Sequence, residues 1–373
     1  MSEYVRLDEA CVLNMGQSPD SSSYNENCEG LPFFQGNADF GDMYPEVRIW
    51  CSAPTKIVEK NTLLISVRAP IGALNFSNTK SCIGRGLAGL TPTEEFDLKY
   101  IYYCLKGKHA ELNSKGTGST FKAISKNALG ETLVRKIDKK KQLEIVEILD
   151  KIYGVICNRK QELEQLDLLI KARFVEMFGD PVSNSYGLPE ATLPELGEFG
   201  RGVSKHRPRN DSMLLGGEYP LIQTGDVANA GLYITSYNST YSELGLNQSK
   251  MWDKGTLCIT IAANIAKTAI LEFDACFPDS VVGFTANERT NNIFIHYWFS
   301  FFQAILESQA PESAQKNINL KILSELKVIV PEKEKQDEFL NFVKQVDKSK
   351  VAVQKALDET QILFDSLMQK YFG

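Results

Sequence analysis

From Gln142 to Gly179 the chain reads QLEIVEILDKIYGVICNRKQELEQLDLLIKARFVEMFG, and from Gln336 to Gly373 it reads QDEFLNFVKQVDKSKVAVQKALDETQILFDSLMQKYFG. In the first stretch the apolar residues Ile145, Leu149, Ile152, Ile156, Leu163, Leu166, Ile170 and Met177 recur at alternating spacings of three and four. That spacing brings them onto one stripe of an α-helix and is the pattern of a coiled-coil seam. The second stretch keeps the register with Phe339, Val343, Val346, Val353, Leu357, Phe364, Leu367 and Tyr371. Each predicts a helix of about 40 residues, on the order of 60 Å long. Asp138 followed by lysines marks one helix start and Pro331-Glu332 the other, while Gly179-Asp180-Pro181 ends the first helix and opens a polar linker to about residue 191.

Working outward, a shift of 194 residues aligns 62–179 with 256–373 without a gap. Along it Thr62-Leu63 matches Thr256-Leu257, Cys82 matches Cys276, Gly89 matches Gly283, Lys122 matches Lys316 and Lys141-Gln142 matches Lys335-Gln336. Upstream the shift falls to about 188, where Pro32-Phe33-Phe34-Gln35 resembles Pro220-Leu221-Ile222-Gln223. A self-match of this length means a duplicated unit. The globular parts, 1–137 and 192–330, mix buried-strand runs such as Leu63–Val67 and Leu257–Ile261 with Gly, Asn and Ser-rich turns. Helical patterns follow at Leu98–Leu112 and Ile293–Leu306. The expected architecture is therefore α+β: domain 1 over 1–137, long helix 1 over 138–179, a linker over 180–191, domain 2 over 192–330 and long helix 2 over 331–373. The two helices are expected to pair as an antiparallel coiled coil with pseudo-two-fold symmetry, through Leu149, Ile152, Ile156, Leu163, Leu166 and Ile170 on one and Val343, Val346, Val353, Leu357 and Phe364 on the other.

Composition narrows the function classes. The chain has 373 residues, 43% hydrophobic and 24% charged, ordinary for a folded protein. Its first residues, Met1-Ser2-Glu3-Tyr4-Val5-Arg6, lack the apolar block of a secretion signal, and no apolar run is long enough for a membrane span, so a cytoplasmic protein is expected. Eight cysteines are scattered without a Cys-x-x-Cys pair, which predicts reduced core residues and neither a disulfide framework nor a zinc site. Three histidines, at 109, 206 and 296, sit in no metal or triad motif.

The duplication also tests the apparent enzyme motifs. Gly84-x-Gly86-x-x-Gly89 could cradle a pyrophosphate, but the second copy has Pro278, Ser280 and Gly283 in those places. Gly116-Thr117-Gly118-Ser119-Thr120 lacks the Gly-Lys-Ser/Thr end of a phosphate-binding loop. No Asp/Asn-Pro-Pro-aromatic motif for amino methylation occurs, and no paired carboxylate or Ser/His pattern stands out. No catalytic residue and no metal ligand is assigned.

What remains are polar loops whose side chains suit phosphates and base edges. Arg201-Gly202-Val203-Ser204-Lys205-His206-Arg207-Pro208-Arg209 holds four cations, Arg201, Lys205, Arg207 and Arg209, and no acid. Ser119 and Lys122 recur as Ser313 and Lys316, pointing to backbone contact or domain packing. Positions that differ between copies are candidates for sequence choice: Arg68 against Ala262, Ala73 against Lys267, Arg85 against Asp279. Gln17 and Ser18, in the loop where the second copy has Val203 and Ser204, complete the DNA-binding candidates.

Taken with Met15-Gly16-Gln17-Ser18-Pro19, Gly30–Phe40, Gln142–Lys151 and Arg173–Pro181, the chain resembles, over essentially its full length, the specificity subunit of type I restriction-modification systems. The resemblance implies two target-recognition domains, each reading one half of a split, asymmetric site in double-stranded DNA. It implies two methyltransferase subunits docked on the helices, with S-adenosylmethionine bound by those partners and no cofactor on this chain. A motor-nuclease subunit can join them. The second copy departs from the pattern at Gly202-Val203-Ser204.

A stand-alone DNA-binding regulator or orphan reader is the alternative; a bifunctional methylating nuclease and a helical scaffold fit less well. The net charge of −6 is unusual for a DNA binder, and outside the two long helices the chain still carries 26 basic and 31 acidic residues. Specificity is then expected from base contacts, with much of the phosphate attraction supplied by partners.

Overall fold

The computed structural model describes residues 3–118, 122–262, 264–309 and 318–373. The chain divides into two compact units, one of Met1–Lys160 with Gln354–Gly373 and the other of Gln161–Val353. Each unit thus holds one globular domain, the first half of the helix that follows it, and the second half of the other helix.

In the first unit a four-stranded antiparallel sheet runs Cys11–Met15, Leu87–Pro92, Leu63–Ser66, Leu74–Phe76. A second, mixed sheet has the order Tyr24–Asn25, Trp50–Cys51, Leu31–Phe34, Ser81–Ile83, Ile57–Val58, with Leu31–Phe34 and Ser81–Ile83 parallel. Leu63–Ser66 is buried at every position, Ser66 included, as its largely apolar run predicts for a strand covered on both faces. Phe34, Val58, Leu64, Ile83 and Leu87 form one of its cores.

The second unit repeats this plan. Its first sheet runs Gly197–Arg201, Val281–Ala286, Leu257–Thr260, Thr268–Leu271, with Tyr233–Ile234 added at the edge; its second runs Ser239–Tyr241, Leu215–Leu221, Ala275–Cys276, Met251–Trp252. Each domain is closed by a two-stranded ribbon, Glu3–Arg6 with Leu133–Lys136 in one and Glu190–Thr192 with Lys327–Ile329 in the other. The helical patterns resolve into Leu98–Gly107 and His109–Ser114 in the first domain and Asn292–Gln309 in the second.

The long helices span Lys139–Phe178 and Lys333–Phe372. The first starts where the Asp138 carboxylate accepts the Lys141 N–H at 3.0 Å. One turn in, Gln142 is fully buried and its amide ties three backbone groups: Nε2 donates to Glu95 O and Ile137 O, each at 2.9 Å, and Oε1 accepts the Asp97 N–H at 2.8 Å. Gln336, also fully buried, donates to Arg289 O at 3.0 Å and Pro331 O at 2.9 Å, and accepts from the Thr290 hydroxyl at 3.0 Å. These paired locks fix each helix to its own domain.

The seam residues Leu149, Ile156, Ile170, Val343, Val346, Val353, Leu357 and Phe364 are buried, and Ile152, Leu163 and Leu166 half-buried. The heptad reading stops short of the ends, however. Phe174 and Phe178 are fully buried in the core of the second unit, where Phe174 stacks on Phe294 at 5.2 Å and meets Phe339 edge-on at 5.3 Å. In the first unit Phe372 lies 5.5 Å from Tyr100, and Phe364 lies 6.3 Å from Tyr103 and 6.0 Å from Tyr153. The second half of each helix therefore packs on the globular domain of the other repeat. This explains why the stripe widens with aromatics there: it must cover a sheet-and-helix core as well as another helix.

The cysteine expectation needs one correction. All eight are free, but Cys28 and Cys157 are exposed and only the other six are buried. Cys157 lies off the buried stripe of its helix, one position after Ile156, and Cys28 in a loop with φ +64°. No helix among the described residues is long and apolar enough to cross a membrane.

Candidate nucleic-acid interface

In the first domain the polar candidates gather at one end of the four-stranded sheet. Gly16 N–H bonds to Leu87 O at 2.9 Å and Gln17 N–H to Ile83 O at 3.0 Å, anchoring the loop that leaves Cys11–Met15. A Cβ at Gly16 would lie 2.2 Å from the carbonyl oxygen of Gly84, so only glycine permits this approach. Ser18 Oγ then accepts the Arg85 N–H at 3.3 Å, and the Thr55 hydroxyl donates to Gln17 O at 2.7 Å. Next along this edge, Val67 N–H bonds to Gly86 O at 2.8 Å, and Ala69 N–H to Lys122 O at 3.0 Å. Gln17, Arg68, Arg85 and Lys122 are all exposed and Ser18 half-exposed, so five candidates share one rim. Ser119 lies outside the described residues, as does Lys316 of the second copy.

The glycines of the apparent nucleotide motif have a structural explanation here. Gly86 N–H bonds to Gln35 O at 3.1 Å, and a Cβ on Gly86 would come within 2.3 Å of that same oxygen. Gly84 and Gly86 permit two loops to touch, Gly89 lies within the strand Leu87–Pro92, and none of them opens a helix.

The second domain rebuilds the frame with different chemistry. Gly202 N–H bonds to Val281 O at 2.9 Å, Ile261 N–H to Ser280 O at 3.0 Å, and Ile318 N–H to Ile261 O at 3.0 Å, each the counterpart of a bond in the first domain. A Cβ at Gly202 would lie 2.2 Å from the Phe277 carbonyl oxygen. Gln35 and Gln223 also correspond: each is exposed, and each N–H is held by a carboxylate, Asp39 at 2.7 Å and Asp226 at 2.8 Å.

The loop of four cations is not free of acid in space. Asp279, which stands where the first domain has Arg85, approaches Arg209 at 2.5 Å and Arg207 at 3.5 Å. Arg207 also donates to the carbonyls of Ser204 at 2.7 Å and His206 at 2.8 Å. His206 Nε2 lies 3.1 Å from Asp211, whose carboxyl is held below its ordinary range by the Met213 N–H and then by His206. Arg201 and Lys205 are exposed and make no ion pair among the described residues. Nothing local in the sequence reveals this neutralisation, because Asp279 lies 70 positions from Arg209; the signal available was its alignment with Arg85.

Behind the loop, Gln248 Oε1 accepts the N–H groups of Lys205 and His206 at 2.7 and 3.0 Å, shaping the backbone from another element. Lys267 is set apart. It lines a separate cleft of the second unit and is half-buried. Among the described residues no three His, Cys, Asp or Glu side chains are arranged to hold a metal ion.

Comparison with known proteins fits this two-fold repetition of a loop-bearing domain. The family model described as type I restriction modification DNA specificity domain matches twice, over residues 2–168 and 190–360. The type I restriction enzyme EcoBI specificity subunit of Escherichia coli is 21% identical, over 99% of this chain and 85% of its own length. A putative type I restriction enzyme MjaX specificity subunit of Methanocaldococcus jannaschii is 40% identical over 154 residues, which are 41% of this chain and only 36% of that relative. Among solved structures, the S subunit of a type I restriction-modification system from M. genitalium shares the fold, at 18% identity, 100% coverage of this chain, 96% of that one and a TM-score of 0.59. With both repeats matched, the chain belongs to the type I restriction modification DNA specificity family.

Proposed function

We propose that this chain is the non-catalytic DNA-reading subunit of a type I restriction-modification complex, each globular domain reading one half of a split, asymmetric site. The observation that carries the reading is the rim: two domains with the same backbone frame present different side chains, Arg85 in one and Asp279 in the other, from the same place. An exposed guanidinium suited to guanine O6/N7 in one domain, against a carboxylate engaged by Arg207 and Arg209 in the other, gives equal frames unequal tips, which suits two different half-sites. The proposed division keeps domains over 1–137 and 192–330, with helices over 138–179 and 331–373 joined through 180–191.

The helices are read as an antiparallel pair that spaces the domains and docks two methyltransferase subunits. In the second unit Phe174 lies beside Phe339, and Lys350 reaches Asp167 at 2.5 Å; in the first, Tyr153 lies beside Phe364. Residue numbers fall on one helix as they rise on the other, which supports opposite directions. S-adenosylmethionine and the methylation of adenine belong to the partners, as does cleavage by a motor-nuclease subunit, and the complex is cytoplasmic. The excess of acid on the domains makes DNA affinity depend on those partners.

The test is a map of methyladenine across DNA exposed to the methyltransferase with and without this chain. A split motif with two unrelated halves is expected, and Arg68→Ala changes methylation at one half only. A continuous palindrome, or methylation indifferent to the chain, refutes the reading.

A further inference from the structure

A cleft of about 330 Å³ opens in the second unit between its globular domain and the long helices. Lys171 on the first helix, Lys350 on the second and Lys267 at the start of Thr268–Leu271 all line it, with Asp167, His296 and Ser300. Asp167, the acid among these lining residues, is taken by Lys350 at 2.5 Å. Neither Lys171 nor Lys267 has an acid partner among the described residues. The cleft therefore presents a surplus of positive charge from three separate elements, an arrangement that helix-surface solvation alone does not produce.

The first unit is the control. In the 194-residue register Lys106 stands for Ser300, Tyr102 for His296, Tyr153 for Asp347, Ile156 for Lys350, Asp365 for Lys171 and Ala73 for Lys267. There the Lys106 ammonium lies 4.4 Å from the Tyr153 ring, 5.4 Å from Tyr102 and 5.5 Å from Phe364. One internal cation on an aromatic bed stands where the second unit has an open space ringed by cations. Because the surrounding frame is the same, the difference lies in the side chains themselves.

We propose that the cleft lined by Lys171, Lys267 and Lys350 binds a phosphate group, from a free phosphate-bearing anion or from the DNA backbone. Lysine serves phosphate as a compact point charge, and Lys171, Lys267 and Lys350 outnumber Asp167, which Lys350 engages, and Asp347, a half-buried carboxylate in electrostatic contact with Lys350 whose pKa burial raises. His296, hydrogen-bonded to Thr268 at 2.9 Å, is kept neutral at pH 7 by burial and by Lys350, so it adds a polar ring to the lining without adding charge. The free-anion arm of the proposal is independent of the split-site reading.

Titration of the full chain with inorganic pyrophosphate, followed by calorimetry and by the His296 imidazole resonances, tests it. Saturable binding is expected, weakened about tenfold by Lys171→Ala or Lys267→Ala and unaffected by Lys122→Ala at the rim of the other unit. Unchanged thermal midpoints of the apo variants exclude unfolding as the cause. If pyrophosphate does not bind, the same variants in the complex with methyltransferase and DNA must lower the salt dependence of binding, which assigns the phosphate to DNA. Variants that alter neither pyrophosphate binding nor the DNA salt dependence overturn the proposal, whatever the fate of the split-site reading.

Discussion

The rims of the two globular domains are built on the same hydrogen bonds and carry opposite charges at one matched position, Arg85 and Asp279. In the first, Gly16 on Leu87 and Val67 on Gly86 hold Arg85, which makes no ion pair among the described residues, on the same rim as Arg68 and Lys122. In the second, Gly202 on Val281 and Ile261 on Ser280 hold Asp279 in that place, where it binds Arg207 and Arg209. The difference teaches that frame and reading surface are separable: the backbone bonds persist through duplication while the side chains projecting from them diverge.

The comparison can be broken first at the cores. Phe174 touches Phe178, Phe294, Phe301 and Phe339, so Phe174→Ala should cost the second unit about 3–5 kcal/mol in chemical denaturation while leaving the first domain's rim intact. Loss of DNA contact by both rims in that variant would show that the units are not separate. A smaller effect, about 1–3 kcal/mol, is expected from Gln142→Ala or Gln336→Ala, which orphan buried backbone groups. Because the two amides make matching bonds, the two losses should agree; a neutral Gln336→Ala would mean the duplication no longer shares its helix anchor.

Charge changes at the rim come next. Arg85→Ala should make DNA binding by the assembled complex less salt-dependent, by about 1 in the logarithmic slope, whereas Asp279→Asn releases two arginines and should make it steeper by about 1–2. Equal signs for the two variants would break the contrast drawn between the rims.

The smallest effect at neutral pH concerns His296. Burial, then Lys350, lowers its pKa to about 4, so its ring resonances should not titrate between pH 8 and 6. The unfolded ring takes a proton near the ordinary histidine value, about 6.5, and the folded ring resists until about 4. Its influence on stability is therefore absent above that ordinary value and grows as a loss when pH falls between the two. The first unit has Tyr102 at this position and should show no such loss from it.

The fold was legible where periodicity and repetition carry it. The 3,4 spacing marked both stretches that form long helices, Lys139–Phe178 and Lys333–Phe372, and the apolar-rich run Leu63–Val67 marked a central strand. Phe174, Phe178 and Phe372 were less legible, because a heptad pattern reports contact with one other helix and these residues also pack on helices of the globular domains, Asn292–Gln309 and Leu98–Gly107, far along the chain. At the rim, sequence identified Arg85 and Asp279 as a divergent pair but not that the acid pairs with two arginines, since ion pairing across 70 positions leaves no local trace. Lys267 was grouped with the DNA-binding candidates because it differs from Ala73 of the first copy; its place in a cleft depends on which way a strand end faces the helices.

The exchange of helix ends has a consequence for inheritance. Each domain's core is finished by residues encoded in the opposite half of the gene, so neither half is a self-sufficient cassette. A chain ending at Gly179 would keep its sheets but lack Phe364 and Phe372 against Tyr103 and Tyr100. Its own Phe174 and Phe178 would be left uncovered. Two such half-chains could cover each other, and a protein made that way would ask the same question of DNA twice.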